Sequence, residues 1–226
     1  MKILFTNTST LDIEKPKPSA KFIPEWYAST ESYIGGVKKP GGNGNTLATI
    51  KRCMPVFDSI TAGYIITTPA DVYVSIKDGE QFFEWPALDL ITFHPITQAP
   101  KHPSANSQGY PKWMNPWAIK TPKGYSTLFV QPMHRESVFT ILPGIVDTDT
   151  YTATVNFPFV ISDLKFEGMI PKGTPLVQVI PFKRDNWTLE FGSKKELEEN
   201  YKITKNITLK FFDRYKSMFW TRKQFN

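Results

Sequence analysis

The hydrophobic pattern of the chain is a series of short runs of β-branched and aromatic residues separated by turn residues. The clearest pair covers 71–77 and 80–85, and the dipeptide Asp78-Gly79 between them favours a two-residue hairpin turn. Further strands are predicted at 2–6, 64–67, 117–120, 125–132, 151–159 and 176–182. Short strands at these intervals indicate a mostly-β domain.

Helical patterns are confined to one short segment and to the end of the chain. Pro55 and Gly63 bracket a predicted helix, because proline favours the first helical turn and glycine the position after the last. Ser193, with a glutamate three residues later, has the spacing of a capping box, which predicts a helix over 194–201. A second helix is predicted over 206–220, where aromatic residues recur on one face.

Proline and glycine residues divide the chain into three predicted parts. Residues 1–50 are an extended N-terminal arm, since early prolines and a later glycine-rich stretch interrupt regular structure. Residues 51–185 are the β domain. Within it, residues 86–116 contain six prolines and little periodicity, which predicts a long irregular insertion. Residues 186–226 are a basic, aromatic, helical tail.

The composition favours a folded domain without a membrane segment. The 226 residues include 17 Phe, 9 Tyr and 6 Trp, which are enough for a large core. Cys53 is the only cysteine, which excludes an internal disulfide framework and a zinc site made of cysteines. No apolar stretch is long enough to span a bilayer, and the first residues do not have the pattern of a secretion signal. We therefore expect a cytoplasmic protein with no membrane partner.

The net charge of +6 is concentrated at the end of the chain. The last 23 residues hold six basic residues and one acidic residue, with aromatic residues between them. Such a segment can bind nucleic acid, or its helix can dock its aromatic face on the domain or on another subunit. The predicted partner contacts are Trp26 and Tyr27 in the arm and Phe219 and Trp220 in the tail, because burial stabilises exposed rings.

Candidate ligand-binding residues cluster in the segment 143–151. Asp147 and Asp149 lie close to Tyr151 in a stretch otherwise rich in Val, Ile and Thr. A carboxylate within hydrogen-bond reach of a water molecule can activate it. Two aspartates that alternate with threonines can equally cap or solvate the end of a strand, so both interpretations stay open here.

Further candidate residues lie outside that segment. Residues 170–180 form a Pro-Lys-Gly turn followed by an apolar strand with one amide, Gln178, and Arg135 supplies a cation. His94 and His102 lie in the proline-rich insertion, where a metal would need a third ligand. No metal site is therefore predicted.

Four segments resemble, in chain order, motifs of the dUTPase-like family; they are residues 61–64, 122–135, 144–151 and 173–180. The resemblance implies a β-clip fold of a kind that commonly assembles as a trimer by exchanging arms. For an active member it also implies that Asp147 orients the attacking water, that Tyr151 stacks on the base, and that Mg²⁺ takes part. Arg135 and Gln178 belong to the ligand-binding set that the resemblance implies.

Several residues depart from these motifs. Ile65 stands where the first motif carries an aspartate, and Pro175 stands where the fourth carries an arginine. Thr150 displaces the motif tyrosine by one position. The glycine-rich arm that closes over the phosphates is absent, since Gly192 is the only glycine after Gly173. A triphosphate needs cations and backbone N–H groups around it, so these departures favour a protein without catalysis.

A wider set of segments is similar to a family of unknown function found in tailed-phage and some bacterial genomes; the segments include 51–64, 121–126, 144–149 and 179–184. We therefore predict a mostly-β, dUTPase-like β-clip with an extended N-terminal arm and a C-terminal α-helical tail. The predicted function is non-catalytic, by oligomeric assembly or binding, including a structural or decoration role in the virion.

Two alternatives stay open. One is a nucleotide-binding protein or dUTPase-like pyrophosphatase, with Asp147 as its catalytic residue and Mg²⁺ as its cofactor. The other is a nucleic-acid binder that acts through the basic tail. The leading hypothesis needs no cofactor, and its partners are further copies of the chain, most simply in a trimer, and other virion proteins. Its location is the host cytoplasm or the virion.

Overall fold

The computed structural model describes residues 1–10, 12–37, 47–86, 89–98, 109–163, 165–209 and 214–226. The chain is mostly β with a helix near its C-terminus, as the sequence predicts. It divides into two compact units. The β unit consists of Met1–Phe22 and Gly63–Arg184, and the helical unit of Ile23–Ala62 and Asp185–Asn226.

The strands of the β unit are short and are numbered in chain order. They are β1 (Leu4–Asn7), β2 (Lys17–Pro18), β3 (Tyr64–Thr67), β4 (Val72–Lys77), β5 (Glu80–Glu84), β6 (Ile91–His94), β7 (Tyr110–Trp113), β8 (Trp117–Lys120), β9 (Tyr125–Val130), β10 (Phe139–Ile141), β11 (Gly144–Val146), β12 (Phe157–Ile161), β13 (Gly168–Ile170) and β14 (Pro175–Lys183).

These strands form four sheets, and every described pair is antiparallel. The largest sheet has the order β11-β9-β14-β3-β2, and the second has the order β10-β12-β7-β6. The two smaller sheets are β13-β4-β5 and β1-β8. β14 pairs with β9 from Gln178↔Val130 to Lys183↔Tyr125, and with β3 on its other side. The central position of β14 therefore fixes the residues at its C-terminal end relative to β9.

One hydrophobic cluster joins residues from most of these strands. Aromatic side chains lie at its centre: the rings of Trp113 and Phe159 stack with centroids 5.1 Å apart, and those of Phe129 and Phe157 lie 5.4 Å apart. Alternate residues of β12 are buried, which is the pattern of a strand with one face on a core. Each fully buried ring of this size contributes about 1.5–3 kcal/mol.

The predicted Asp78-Gly79 hairpin is confirmed. β4 and β5 pair from Tyr73↔Glu84 to Lys77↔Glu80. Asp78 and Gly79 both have positive φ, at 55° and 79°. A type I′ turn requires this at its two central positions, and its twist matches that of the flanking strands.

Two segments differ from the strand pattern that the sequence predicts. The insertion 86–116 is expected to be irregular, but in its described part β6 and β7 pair from Ile91↔Trp113 to His94↔Tyr110. Prolines hide this pairing from the pattern, although each removes only one N–H donor from a ladder. The strand expected over 151–159 begins only at Phe157, because the residues after Asp147 form a turn. His102 lies outside the described residues.

The helical unit contains four α-helices within the described residues: α1 (Glu25–Ser29), α2 (Met54–Thr61), α3 (Lys194–Leu209) and α4 (Arg214–Met218). α2 confirms the helix predicted between Pro55 and Gly63. The capping box is also confirmed, since Ser193 N donates to Glu196 Oε2 at 2.9 Å and Lys195 N donates to Ser193 Oγ at 3.3 Å. Residues 210–213 of the second predicted helix lie outside the described residues.

Polar contacts connect the two chain segments of the helical unit. Trp220 Nε1 donates to Asp58 Oδ2 at 2.9 Å, and Lys223 Nζ lies 2.6 Å from the same oxygen. Within the first segment, Lys51 Nζ donates to the carbonyl of Ala28 at 2.8 Å, at the end of α1. Among the described helices, none is both long and apolar enough to cross a bilayer.

The structure distributes the predicted N-terminal arm between the two units. Residues 1–22 supply β1 and β2 to the β unit, where β1 pairs with β8 and β2 pairs with β3. The described residues from Ile23 to Arg52 belong to the helical unit. Pairing of this kind depends on distant strands, so it has no local sequence signal.

Candidate functional site

Three charged side chains meet at one end of the largest sheet. Asp147 and Asp149 lie in the turn after β11, and Arg184 follows directly after β14. Arg184 Nη1 lies 2.9 Å from Asp147 Oδ1 and 2.9 Å from Asp149 Oδ1. Arg184 Nη2 donates to Asp149 Oδ2 at 2.5 Å. Both predicted carboxylates therefore bind one guanidinium.

The two carboxylates differ in exposure. The side chain of Asp147 is 61% exposed, whereas that of Asp149 is only 3% exposed. Hydrogen bonds from Arg184 and from the Gly124 N–H, the latter at 2.8 Å, lower the pKa of Asp149 to about 2. Hydrogen bonds from Ser126 Oγ, at 2.6 Å, and from Arg184 lower the pKa of Asp147. Asp149 is thus the enclosed member of the cluster and Asp147 the solvent-facing one.

Thr148, between the two aspartates, holds the turn in place through buried hydroxyl contacts. Its side chain is buried, and its Oγ1 lies 2.8 Å from both Thr121 Oγ1 and Thr127 Oγ1. The backbone carbonyl of Asp147 accepts hydrogen bonds from Thr150 N and Tyr151 N, at 3.0 and 2.8 Å. These contacts hold the turn rigidly, which favours the structural interpretation of the aspartates.

Gln178 and Arg135 lie elsewhere in the β unit. The buried Oε1 of Gln178 accepts a hydrogen bond from Met133 N at 3.0 Å, and Gln131 Oε1 accepts one from Ile141 N at 3.0 Å. Arg135 is half-buried, which lowers its pKa, and no acceptor among the described residues binds it. Both glutamines hold the segment between β9 and β10 in place.

The five predicted ligand-binding residues do not form one pocket. Gln178 and Arg184 lie on or next to β14, six residues apart, which corresponds to about 20 Å along an extended strand. Arg184 contacts the two carboxylates, and Gln178 contacts the segment that carries Arg135. The ligand-binding role of these residues stays a prediction.

Tyr151 lines a separate open cavity of ≈ 380 Å³, here called the Tyr151 pocket. Its lining consists of His94, Lys112, Val146, Tyr151, Thr154, Val155 and Asn156. The side chain of Tyr151 is half exposed, and its hydroxyl donates to Thr154 O at 3.4 Å, near the limit of a hydrogen bond. Tyr151 therefore faces the pocket rather than the charged cluster.

The positions of a nucleotide hydrolase are not assembled around Asp147. Ile65, at the position of the first-motif aspartate, is buried in β3 opposite Gln178. A divalent cation held by Asp147 and Asp149 would compete with the guanidinium of Arg184 for the same oxygens. Within the described ranges, no three His, Cys, Asp or Glu side chains form a group that could hold a metal ion.

The four predicted partner contacts fall into two classes. Tyr27 is buried, with its ring 6.5 Å from that of Phe57, and Trp220 is half-buried and bound to Asp58. Trp26 and Phe219 are exposed, but the ring of Trp26 lies 5.5 Å from that of Tyr27, and the ring of Phe219 lies 6.4 Å from that of Tyr215. All four rings therefore have contacts within the helical unit, and two of them are also exposed.

The most exposed apolar side chains of the described chain, apart from Met1, lie just after β14. Trp187, Leu189 and Phe191 are 91%, 82% and 92% exposed. They belong to the segment 184–193, which is neither helix nor strand. Leu197 and Tyr201 on α3 are each 68% exposed. The partner contacts predicted from the sequence do not include these residues. The alternation of Trp187, Leu189 and Phe191 is nevertheless visible in the sequence.

Sequence reasoning also misses Arg184 and Lys112 as candidate functional residues. Arg184 lies 35 positions from Asp149, and Lys112 lies in the proline-rich insertion. Arg184 had one local signal, because it directly follows the strand that comes after the Pro-Lys-Gly turn. Lys112 had none.

No family model matches the sequence, and no curated protein matches it. Among solved structures, the chain is similar to a point mutant of the dUTPase from phage phi11 of S. aureus, whose structure reveals the coordination of a structural Mg(II) ion. The identity is 12%, the TM-score is 0.37, and the match covers 88% of this chain and 99% of that one. At this identity and TM-score the likeness carries no argument about the site.

Proposed function

We propose that the chain is a non-catalytic protein that acts by assembling with further copies of itself. The observation that carries this proposal is the exposure of Trp187, Leu189 and Phe191 in a segment that is neither helix nor strand. Large apolar side chains grouped on a surface mark interaction sites in folded proteins. A second copy of the chain is the simplest binding partner for this segment, because every copy carries the same segment.

The spacing of these residues suits docking as an extended strand. In an extended strand, alternate side chains point to the same side. In that conformation the side chains of Trp187, Leu189 and Phe191 would form one apolar strip. Addition of an extended peptide to the edge of a sheet places alternate side chains in pockets on one side, which is the spacing that these three residues have. Leu197 and Tyr201, one helical turn apart on α3, present further exposed apolar side chains on one face of the helix.

The absence of catalysis is supported by the charged cluster. A general base needs a carboxylate oxygen that is free to take the proton of the water, and Asp147 Oδ1 is bound by both Arg184 and Ser126. The buried Ile65 supplies no second carboxylate. Assembly as a trimer, in the virion or in the host cytoplasm, is the form of this function that the motif resemblance implies.

Nucleic-acid binding through the tail is less favoured. Lys223 binds Asp58, and the ammonium groups of Lys216 and Lys223 lie 5.8 and 6.0 Å from the centroid of the Trp220 ring. Two of the tail's cations thus have contacts within the helical unit. The hypothesis predicts binding that weakens steeply with salt, because each phosphate contact releases counterions.

Light scattering coupled to size exclusion tests the assembly. We expect a mass near three times 25.8 kDa at tens of micromolar protein. The double substitution Trp187→Ser and Phe191→Ser should convert it to a monomer. Ile145→Ser removes a 64% exposed side chain from β11 and is the matched control, which should leave the mass unchanged. A wild-type monomer under these conditions would contradict the proposal.

A further inference from the structure

We propose that the Tyr151 pocket binds a small organic anion, a carboxylate or phosphate carried on a flat apolar ring. This proposal does not rest on the assembly segment or on the ion pairs of Arg184. Its volume of ≈ 380 Å³ lies in the range typical of small-molecule sites. The chemistry of its lining selects the ligand class.

Lys112 supplies the positive charge. It lies in β7 and is half-buried, and its ammonium has no acceptor among the described residues. Partial burial of a charge without a counter-charge is unfavourable. The described lining contains no acidic residue. A bound anion would supply the counter-charge that Lys112 lacks among the described residues.

Two further polar groups line the pocket, Asn156 and His94. Asn156 Oδ1 accepts from Asn115 N at 3.1 Å, so the amide N–H₂ of Asn156 is the group left for a ligand. His94 Nδ1 lies 2.6 Å from Gln98 Oε1, an oxygen that can only accept. With the proton on Nδ1, Nε2 of the neutral ring faces a ligand as an acceptor, so His94 would accept a hydrogen bond from a ligand hydroxyl or N–H group. Lys112 and the amide of Asn156 are therefore the donors that the pocket offers to an anionic group.

The other walls suit a flat apolar body. Val146 and Val155 pack against the hydrophobic core and present apolar surface to the cavity. The half-exposed ring of Tyr151 stands beside them, held only by the long hydrogen bond to Thr154. An aromatic ring prefers an offset or edge-on contact with such a ring. The lining therefore combines an anion-binding end with an aromatic wall.

Calorimetric titration with four probes tests the proposal: phenyl phosphate, benzoate, inorganic phosphate and the neutral benzamide. Phenyl phosphate, benzoate or both should bind, and the one that binds more tightly identifies the anionic group. Benzamide should not bind. Lys112→Met should weaken binding about ten- to a hundredfold, the effect of losing a charge-assisted hydrogen bond. Lys120→Met removes an exposed charge from β8 and should change nothing.

Tyr151→Leu separates the ring contact from the charge. It should weaken phenyl phosphate and benzoate more than inorganic phosphate, because only the first two have a ring to lose. Thermal unfolding of each variant verifies that the fold is retained, and Lys112→Gln replaces Lys112→Met if the latter unfolds. Failure of every anionic probe to bind at millimolar concentration would overturn the proposal, as would binding that Lys112→Met leaves intact.

Discussion

Arg184 donates two hydrogen bonds to Asp149, from Nη1 at 2.9 Å and from Nη2 at 2.5 Å. The Asp149 side chain is almost enclosed, and an enclosed carboxylate needs charges and N–H groups in place of water. The N–H of Gly124 supplies a third hydrogen bond. This pair fixes the residue after β14 to the turn after β11, so we regard it as a structural ion pair.

Replacing each aspartate separately tests this assignment. Asp149→Asn should lower the midpoint of thermal unfolding clearly, because it removes the charge that the guanidinium and the Gly124 N–H surround. Asp147→Asn should have a much smaller effect, since solvent screens a mostly exposed pair. Circular dichroism melts of the two variants and the wild type give the comparison. Equal effects would contradict a structural role specific to Asp149.

The lowered pKa of Asp149 predicts a pH dependence of stability. In the folded chain this pKa is about 2, whereas the ordinary value is 3.8. The unfolded state therefore takes up a proton first as the pH falls. The contribution of the pair should be complete above about pH 4 and be lost between about pH 4 and pH 2. Urea unfolding across this range should show a steeper loss for the wild type than for Asp149→Asn.

We expect no hydrolysis of dUTP in the presence of Mg²⁺. Single contacts to a transition state commonly account for about 2.7–4 kcal/mol, and Ile65 and Pro175 each stand where such a contact would be made. A pyrophosphate-release assay should give the same background rate for the wild type and for Asp147→Asn. A wild-type rate above background that Asp147→Asn abolishes would restore the hydrolase alternative.

Gly63 should be intolerant of a side chain. Its φ is +68°, and a Cβ at this position would lie 2.0 Å from the backbone oxygen of Val179 in β14. Gly63→Ala should therefore destabilise the fold by more than about 1 kcal/mol. Gly79, in the β4–β5 turn, has a similar φ of +79° but open space around it. Gly79→Ala is the control, and urea unfolding should show the smaller loss for it.

Local chemistry explains which elements the sequence predicts. The Asp78-Gly79 turn and the Ser193 cap each depend on residues within four positions, and both are found in the structure. β6 and β7 escape prediction because their pairing spans the proline-rich stretch. The Arg184 pair joins residues 35 positions apart, and only the packed sheet brings them together.

The amides of Gln131 and Gln178 define where the segment between β9 and β10 can be altered. Each amide oxygen substitutes for a backbone carbonyl, so both ends of the segment are held although it belongs to no sheet. An epitope tag inserted after the exposed Glu136 would lengthen the segment between Met133 and Ile141, whose N–H groups make the two hydrogen bonds, and would leave both bonds intact. The same tag inserted directly after Gln131 would move Met133 N away from Gln178 Oε1. The segment would then lose the hydrogen bond that holds it to β14.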